Sequence, residues 1–335
     1  MIDEHLWREL ESRQPISGRS MRRLFPESGH DIHVSVSHPS LRRMLLLRTD
    51  ARSAESVRRG IQSLPRTAGL ELSLSAVSVH QYELQVVLTE EDLGEVFTPL
   101  AADIAGAMKE APTPQSAAEA VLSRFGRWQQ LLRSVLRDGL SREARWGLFG
   151  ELYFLHEHVL TVVDHDVAIR AWTGPGHTNQ DFQLPGAAVE VKTTTRRGPN
   201  SVRITSERQL DTNGAIPLVL VQLVLDDRLH GLGKTLNMLV DDIRGVLDSS
   251  SARYRFEHLL VQAGYLPSQR DLYEDASHTV RRIDFWEACE GFPRVVEGDL
   301  PTGVGNCSYT IDTAVLEPYR VAAEAVGDLI RGTHG

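Results

Sequence analysis

The segment HTNQDFQLPGAAVEVKTTT, residues 177–195, holds two carboxylates and an ammonium that one fold-back would bring together. Pro185-Gly186 is a strong turn signal between two strand-like runs. A hairpin symmetric about that dipeptide sets Leu184 opposite Ala187, Phe182 opposite Val189, Asp181 opposite Glu190 and Asn179 opposite Lys192. Side chains alternate across a strand, so Phe182, Leu184, Val189 and Val191 share a core face, while Asp181, Glu190 and Lys192 share the other. Cβ atoms of opposite residues stand about 4.5–5.5 Å apart. A slip of one residue would expose Phe182, so the apolar face defends the register. The polar face is expected to open on a solvent-facing cleft.

Such a cluster suits phosphodiester hydrolysis. Two neighbouring carboxylates repel, and a hard divalent cation relieves the repulsion by taking oxygen ligands. The cation also polarises a phosphate oxygen and lowers the pKa of a bound water. A lysine two residues beyond the acid points at the same place, where it can orient water or offset charge developing on phosphate. On the residues alone another reading stands beside this one. Glu-x-Lys recurs by chance, and the pair could be a surface salt bridge on a hairpin.

The elements that must position these groups follow from periodicity. Gly139 stops a helix that Ser116 caps, and Ser141 caps the next, REARWGLFGELYFLHEHVL over 142–160. That helix is apolar nearly all round, so it is expected to be buried, with Gly147 and Gly150 admitting a close neighbour such as a sheet. Glu151 sits on it among Gly147, Leu148, Phe154 and Leu155, an apolar surface on which an ionised carboxylate is costly unless paired or bound to metal. The alternative is a glutamate escaping at the helix edge near His158. Short strands follow at 178–184, 187–194, 201–206 and 217–225, and the last, PLVLVQLVL, reads as a central strand covered on both faces. Ser206 and Gln209 form an S-x-x-Q capping box opening a short helix.

The order of these elements resembles the PD-(D/E)XK nuclease superfamily, which includes many restriction endonucleases. There a helix bearing an acid precedes a hairpin with Asp, then (D/E)-x-K, a third strand, a helix and a fourth strand. Here Glu151, Asp181, Glu190-Val191-Lys192, VRIT (202–205) and VLVQLVL (219–225) stand in that order, over about a quarter of the chain. The proline that nominally precedes the Asp is Gln180 here. The resemblance implies a restriction-endonuclease-like α/β core, a mixed central sheet flanked by helices. It implies Mg²⁺, with Mn²⁺ able to substitute, held by Glu151, Asp181, Glu190 and the Val191 carbonyl, with Lys192 assisting the attacking water. The implied substrate is double-stranded DNA, its phosphates contacted by Arg196, Arg197 and Arg203. The whole chain is similar, more specifically, to a bacterial family named only for this motif, whose genes lie beside DNA methyltransferase, helicase-like and GHKL-type ATPase genes in defence loci. That similarity implies a restriction or phage-defence role with such partners. A homodimer is also compatible. The rival reading is a non-catalytic DNA-binding or scaffold subunit that keeps the fold; the intact Asp, Glu and Lys favour catalysis.

The rest of the chain frames this core. Its 335 residues suggest two or three domains. Residues 1–110 read as an N-terminal α+β domain, with alternation in IHVSVSH (32–38), LELSLSAV (70–77) and YELQVVL (82–88) and a helix at 3–12. The boundary EAPTPQS leads into the core at 111–228, and 229–335 reads as an α+β extension with helices near 235–248, 253–263 and 314–331. A net charge of −9 argues weakly against a nucleic-acid partner, since placement matters more than the sum. No apolar run approaches the ~20 residues that span a bilayer. The acidic, amphipathic N-terminus does not read as a signal peptide, and Cys289 and Cys307 cannot form a metal cluster alone, so a cytosolic protein is expected. GLGKT (231–235) lacks the first glycine of a phosphate loop, since Arg228 stands there, and reads as a turn with Thr235 capping the next helix. His156 and His158 lack the spacing of a zinc helix, and no G-x-S-x-G is present.

Overall fold

The computed structural model describes residues 2–13, 17–65, 69–176, 178–195, 200–211, 216–229 and 231–332. They form two compact units, Met1–Arg137 and Asp138–Gly335. No helix among them is long and apolar enough to cross a membrane.

In the first unit the alternating runs become an antiparallel sheet. Its strands are β1 (Gly18–Leu24), β2 (Asp31–His38), β3 (Arg43–Asp50), β4 (Leu70–Ala76) and β5 (Gln81–Leu88), in the order β1-β2-β3-β5-β4. Helices α1 (Glu4–Ser12), α2 (Ala51–Ser63), α3 (Gly94–Glu110) and α4 (Pro114–Val135) belong to the same unit. Helix α4 begins three residues earlier than a cap at Ser116 would start it. Thr113 is its N-cap and Ser116 answers as the third helical residue of a reciprocal capping box. Thus the helix placed by sequence at the head of the core packs instead within the first unit.

The second unit is the α/β core. Helix α5 (Arg142–Phe154) opens it, capped by Ser141, and widens into a π-turn over Leu155–Val159 rather than continuing as an α-helix to 160. Then come α6 (His165–Ala171), β6 (Phe182–Gln183), β7 (Ala188–Thr195), β8 (Ser201–Ile204), β9 (Leu218–Leu229) and β10 (Lys234–Thr235). Helices α7 (Leu236–Val246) and α8 (Ser250–Gln262), strands β11 (Ala276–Glu287) and β12 (Tyr309–Asp312), and helix α9 (Ala323–Arg331) complete it. The mixed sheet has the order β10-β11-β9-β7-β6, with β7 and β9 parallel. As its unbroken apolar run requires, β9 is interior, with Val219, Leu220, Val221, Leu223 and Leu225 wholly buried.

Three departures from the sequence reading matter for the site. Strand β8 leaves the main sheet and pairs with β12 to form a second, two-stranded layer. The residues after Ser206 form turns rather than a helix. And residues beyond 228 do not merely append: β11 pairs with β9 along nearly its whole length. Thr235 does cap α7, accepting from the Met238 N–H.

Candidate active site

The hairpin has the register that its apolar face demands. Phe182 pairs with Val189, Gln183 with Ala188, and the Leu184 N–H donates to the Ala187 carbonyl at 2.9 Å. Strand β6 then stops, while β7 runs on to Thr195. The cause lies in Asp181. Its carbonyl accepts from the Thr173 and Gly174 N–H groups at 2.8 and 2.9 Å, so the backbone has turned away from β7. Its carboxylate replaces the missing strand, with Oδ2 accepting from the Val191 N–H at 2.8 Å. Within a strand a residue's C=O leaves on the same side as its N–H. The Val191 carbonyl therefore faces the same open edge.

Helix α5 lies on the Phe182, Val189 and Val191 face. Phe154 meets Phe182 edge-on, with ring centroids 5.2 Å apart. Gly150 presses so closely on the Thr193 hydroxyl that a Cβ there would overlap it. Gly147, by contrast, has open space beside it, so only Gly150 serves the close approach. This contact brings Glu151, the next residue, to the open edge of β7. Its Oε2 accepts from the Trp172 indole N–H at 2.8 Å. It does not turn to His158, which instead stacks on Phe154. Gly174 marks the convergence: a Cβ placed there would lie 2.6 Å from Glu151 Oε2 and 3.0 Å from Asp181 Oδ1.

Glu190 and Lys192 point to the other face, as alternation requires, but that face is no solvent-facing cleft. The β8–β12 layer covers it, packing Val202, Ile204 and Ile311 over Ala188, Leu218 and Leu220. Glu190 is consequently only 1% exposed. Lys192 Nζ approaches Glu190 Oε1 at 2.6 Å, while Glu190 Oε2 has no hydrogen-bond partner among the described residues. The ammonium also donates to Gln209 Oε1 at 3.2 Å, an oxygen that accepts from the Thr205 N–H at 2.8 Å. Gln222, directly across the ladder from Lys192, is buried, and its Oε1 has no hydrogen-bond partner among the described residues.

The electrostatics follow from burial and like charge. Glu190 is pushed up to about 8 by burial and then by Asp181, against the opposing pull of Lys192. Burial raises Glu151 well above the ordinary carboxylate value, with Asp181 adding to it. Burial also raises Asp181, opposed by Lys192 and the Val191 N–H. Three carboxylates, Glu190 buried and Glu151 and Asp181 half-buried, stand close together and resist being charged together. No three Asp, Glu, His or Cys side chains among the described residues already stand as a coordination cluster, because Glu190 is turned to Lys192 and Glu151 to Trp172.

The structure thus brings together Glu151, Asp181, Glu190, Val191 and Lys192. Arg203 is exposed on β8 and has no hydrogen bond or ion pair to that cluster among the described residues, while Arg196 and Arg197 lie outside the described residues. Sequence reasoning missed Trp172, Gly174 and Gln180. Gln180 holds the place of the motif's proline and is buried, its amide donating to the Arg208 and Asp211 carbonyls at 2.8 and 3.0 Å. It pins the turn that presents Gln209 to Lys192. Gln209 was visible as half of a capping box, but the partner it satisfies is Lys192 as well as the local backbone. No local pattern pointed to Trp172, which a lone antiparallel bridge to Phe182 fixes beside Glu151.

Comparison with curated proteins and with solved structures gives no match. A family model described as "Putative PD-(D/E)XK family member, (DUF4420)" matches residues 4–314, a span that includes every member of the cluster. With nearly the whole chain matched and Asp181, Glu190 and Lys192 in the motif's order, the protein belongs to this PD-(D/E)XK family.

Proposed function

We propose that the protein is a Mg²⁺-dependent endonuclease hydrolysing phosphodiester bonds of double-stranded DNA, with Mn²⁺ able to substitute. The observation that supports this best is the convergence of Glu151 and Asp181 on one point beside Gly174, with Glu190 and Lys192 on the adjoining strand. The donor set fits a hard divalent cation. It is all oxygen, its carboxylates repel one another, and Glu190 Oε2 is buried without a hydrogen-bond partner among the described residues. Glu151, Asp181 and Glu190 would hold the ion, with the Val191 carbonyl as a further donor. When bound, the ion supplies Lewis acidity toward a phosphate oxygen and offsets the carboxylate charge.

The chain's own residues account for the remainder. The Val191 N–H holds one oxygen of Asp181 and so aims the other. Trp172 does the same for Glu151. Lys192 orients the attacking water and stabilises charge developing on phosphate, and Gln209 fixes the ammonium with a neutral acceptor that leaves its charge intact. Arg196, Arg197 and Arg203 contact phosphates of the substrate. A restriction or phage-defence role belongs to the same proposal, with methyltransferase, helicase-like and GHKL ATPase partners and a homodimer as the assembly.

One observation favours a second reading, a non-catalytic DNA-binding or scaffold subunit: Glu190 is sealed beneath the β8–β12 layer and paired with Lys192. Calorimetry with Mg²⁺ and cleavage of modified and unmodified plasmid DNA, with and without the neighbouring gene products, separate the two. Asp181→Ala should lose metal binding. Lys192→Ala should bind Mg²⁺ at least as well as wild type yet cleave about 10²–10³-fold more slowly. A Lys192→Ala protein that cuts at the wild-type rate removes the lysine from the mechanism. A wild type that binds DNA but never Mg²⁺ supports the scaffold reading.

A further inference from the structure

Every member of the carboxylate cluster belongs to the second unit, and the charges of the first unit are unevenly placed. The net charge of the whole chain is −9. Against that background the stretch from Ala120 to Arg137 contains Arg124, Arg127, Arg133 and Arg137 and no acidic residue. Arg124 is committed to Asp103 at 3.2 Å. Arg127, Arg133 and Arg137 are exposed, and none has an ion pair or side-chain hydrogen bond among the described residues. Elsewhere in this unit the exposed arginines are mostly consumed: Arg13 and Arg22 by Glu9, and Arg19 by Glu83.

Helix α2 extends the patch. A Cβ on Gly60 would overlap the Leu122 side chain, and Gly126 lies 3.6 Å from Leu64 by the same measure, so α2 and α4 run side by side in close contact. On α2, Arg59 is exposed and also lacks a partner among the described residues, whereas the charge of Arg52 is drawn to Asp50 at the helix N-cap. The acids on these two helices are Glu55, which pairs with Arg58, and Glu119, which keeps its charge while accepting from the neutral Gln115 amide; Asp50 and Asp138 flank them. The α2–α4 layer, with the residues just past α4, thus carries four exposed guanidinium groups with no partner among the described residues: Arg59, Arg127, Arg133 and Arg137. At about 1.5 Å rise per residue, Arg127 and Arg133 stand about 9 Å apart along α4, and Arg137 follows two residues past its end, enough to meet more than one phosphate of a duplex.

We propose that the exposed face of the α2–α4 layer is a docking surface for the phosphate backbone of double-stranded DNA, held through Arg59, Arg127, Arg133 and Arg137. This goes beyond the nuclease reading by giving the first unit a role, and it rests on that reading for the choice of DNA. Arginine suits the task because its planar fork matches phosphate oxygens and it stays charged at any working pH. Contacts of this kind carry no base preference; they fix register and add affinity.

Counterion release makes the proposal quantitative. Each phosphate neutralised adds about −0.9 to the slope of log K against log salt. The test uses the full chain carrying Asp181→Ala, so that DNA is bound and not cut, and a fluorescein-labelled 30-base-pair duplex read by anisotropy between 50 and 200 mM NaCl. The triple variant Arg127→Ala, Arg133→Ala and Arg137→Ala should flatten the slope by about 2.7 and weaken binding on the order of 10²-fold at 0.1 M salt. The matching Arg→Lys triple should keep the slope, and circular dichroism and melting of both should equal those of the parent. An unchanged slope and affinity in the alanine triple overturns the surface while leaving the nuclease reading intact. A parent protein that binds no duplex at any salt, or binds single-stranded RNA in preference, overturns both.

Discussion

Glu190 is held where its charge is poorly tolerated, and that has a measurable sign. An exposed glutamate in the unfolded chain titrates near 4.5, whereas burial and Asp181 push the native group up to about 8. Between those values the native state binds more protons than the unfolded one, so stability of the metal-free protein should fall as pH rises from about 4.5 to about 8. Glu190→Gln removes the ionisation. Its melting temperature should exceed that of wild type at pH 8, with the gap closing toward pH 5. Mg²⁺ should raise the wild-type value at pH 8 and leave the variant nearly unmoved. Coincident melting curves at pH 8 would show that the carboxylate carries no such strain. Gln180 makes a second case at this scale. Its amide satisfies the Arg208 and Asp211 carbonyls and so holds the turn bearing Gln209. Gln180→Ala should cost about 1–3 kcal/mol in urea unfolding, and release Lys192 from one of its two partners. Cleavage should slow while Mg²⁺ affinity stays; loss of metal binding instead would place Gln180 among the groups that build the carboxylate site.

At the scale of elements, a single missing side chain seats α5 on β7. A methyl group on Gly150 would collide with the Thr193 hydroxyl, on a strand that cannot retreat because β9 holds its other edge. Gly150→Ala should therefore destabilise by about 1–3 kcal/mol despite the better helix propensity of alanine. Thr193→Ala in the same chain removes the colliding oxygen and should recover most of that loss. Failure of the double variant to recover would mean that the strain lies elsewhere on the helix. The sequence announced both glycines of α5 but could not say which one meets the sheet, because that depends on where the strand passes. The same limit explains the rest of the record. The hairpin register was legible because Phe182 and Val189 had to be buried together, whereas for Glu151 the residues alone left a position at the helix edge near His158 open and only the resemblance favoured the site. The cover over Glu190 was not legible. It depends on β8 leaving the main sheet to pair with β12, a contact between residues 201–204 and 309–312 that local patterns do not encode. Trp172 and Gln180 were missed for a like reason, since each acts on a group that only tertiary structure brings near.

At the scale of the whole molecule, the way the sheet is assembled decides where the chain can be cut. Sequence patterns ended the core at 228, but β11 from the C-terminal segment pairs with β9 from Glu287 opposite Val219 to Ala276 opposite Leu229. Trp286 and Ala288 enter the same buried cluster as Ala188, Leu218 and Leu220. Strand β12 completes the two-stranded layer that covers Glu190. Removing residues after 228 would strip β9 of one neighbour along most of its length and expose the hydrogen-bonding edge of a strand that is mainly apolar from Leu218 to Leu225, a known route to aggregation. A fragment of residues 138–335 keeps every one of these pairings, because the division between the two units falls at Arg137 and Asp138. Two expressed fragments put this to the test. The 138–335 fragment should be monodisperse, should unfold cooperatively in urea and should bind Mg²⁺ with the affinity of the full chain, since all of the proposed ligands lie within it. The 111–228 fragment, which contains every proposed ligand but neither β11 nor β12, should be insoluble or lack a cooperative transition. Cooperative folding and metal binding by 111–228 would mean that the C-terminal strands decorate a core already complete without them.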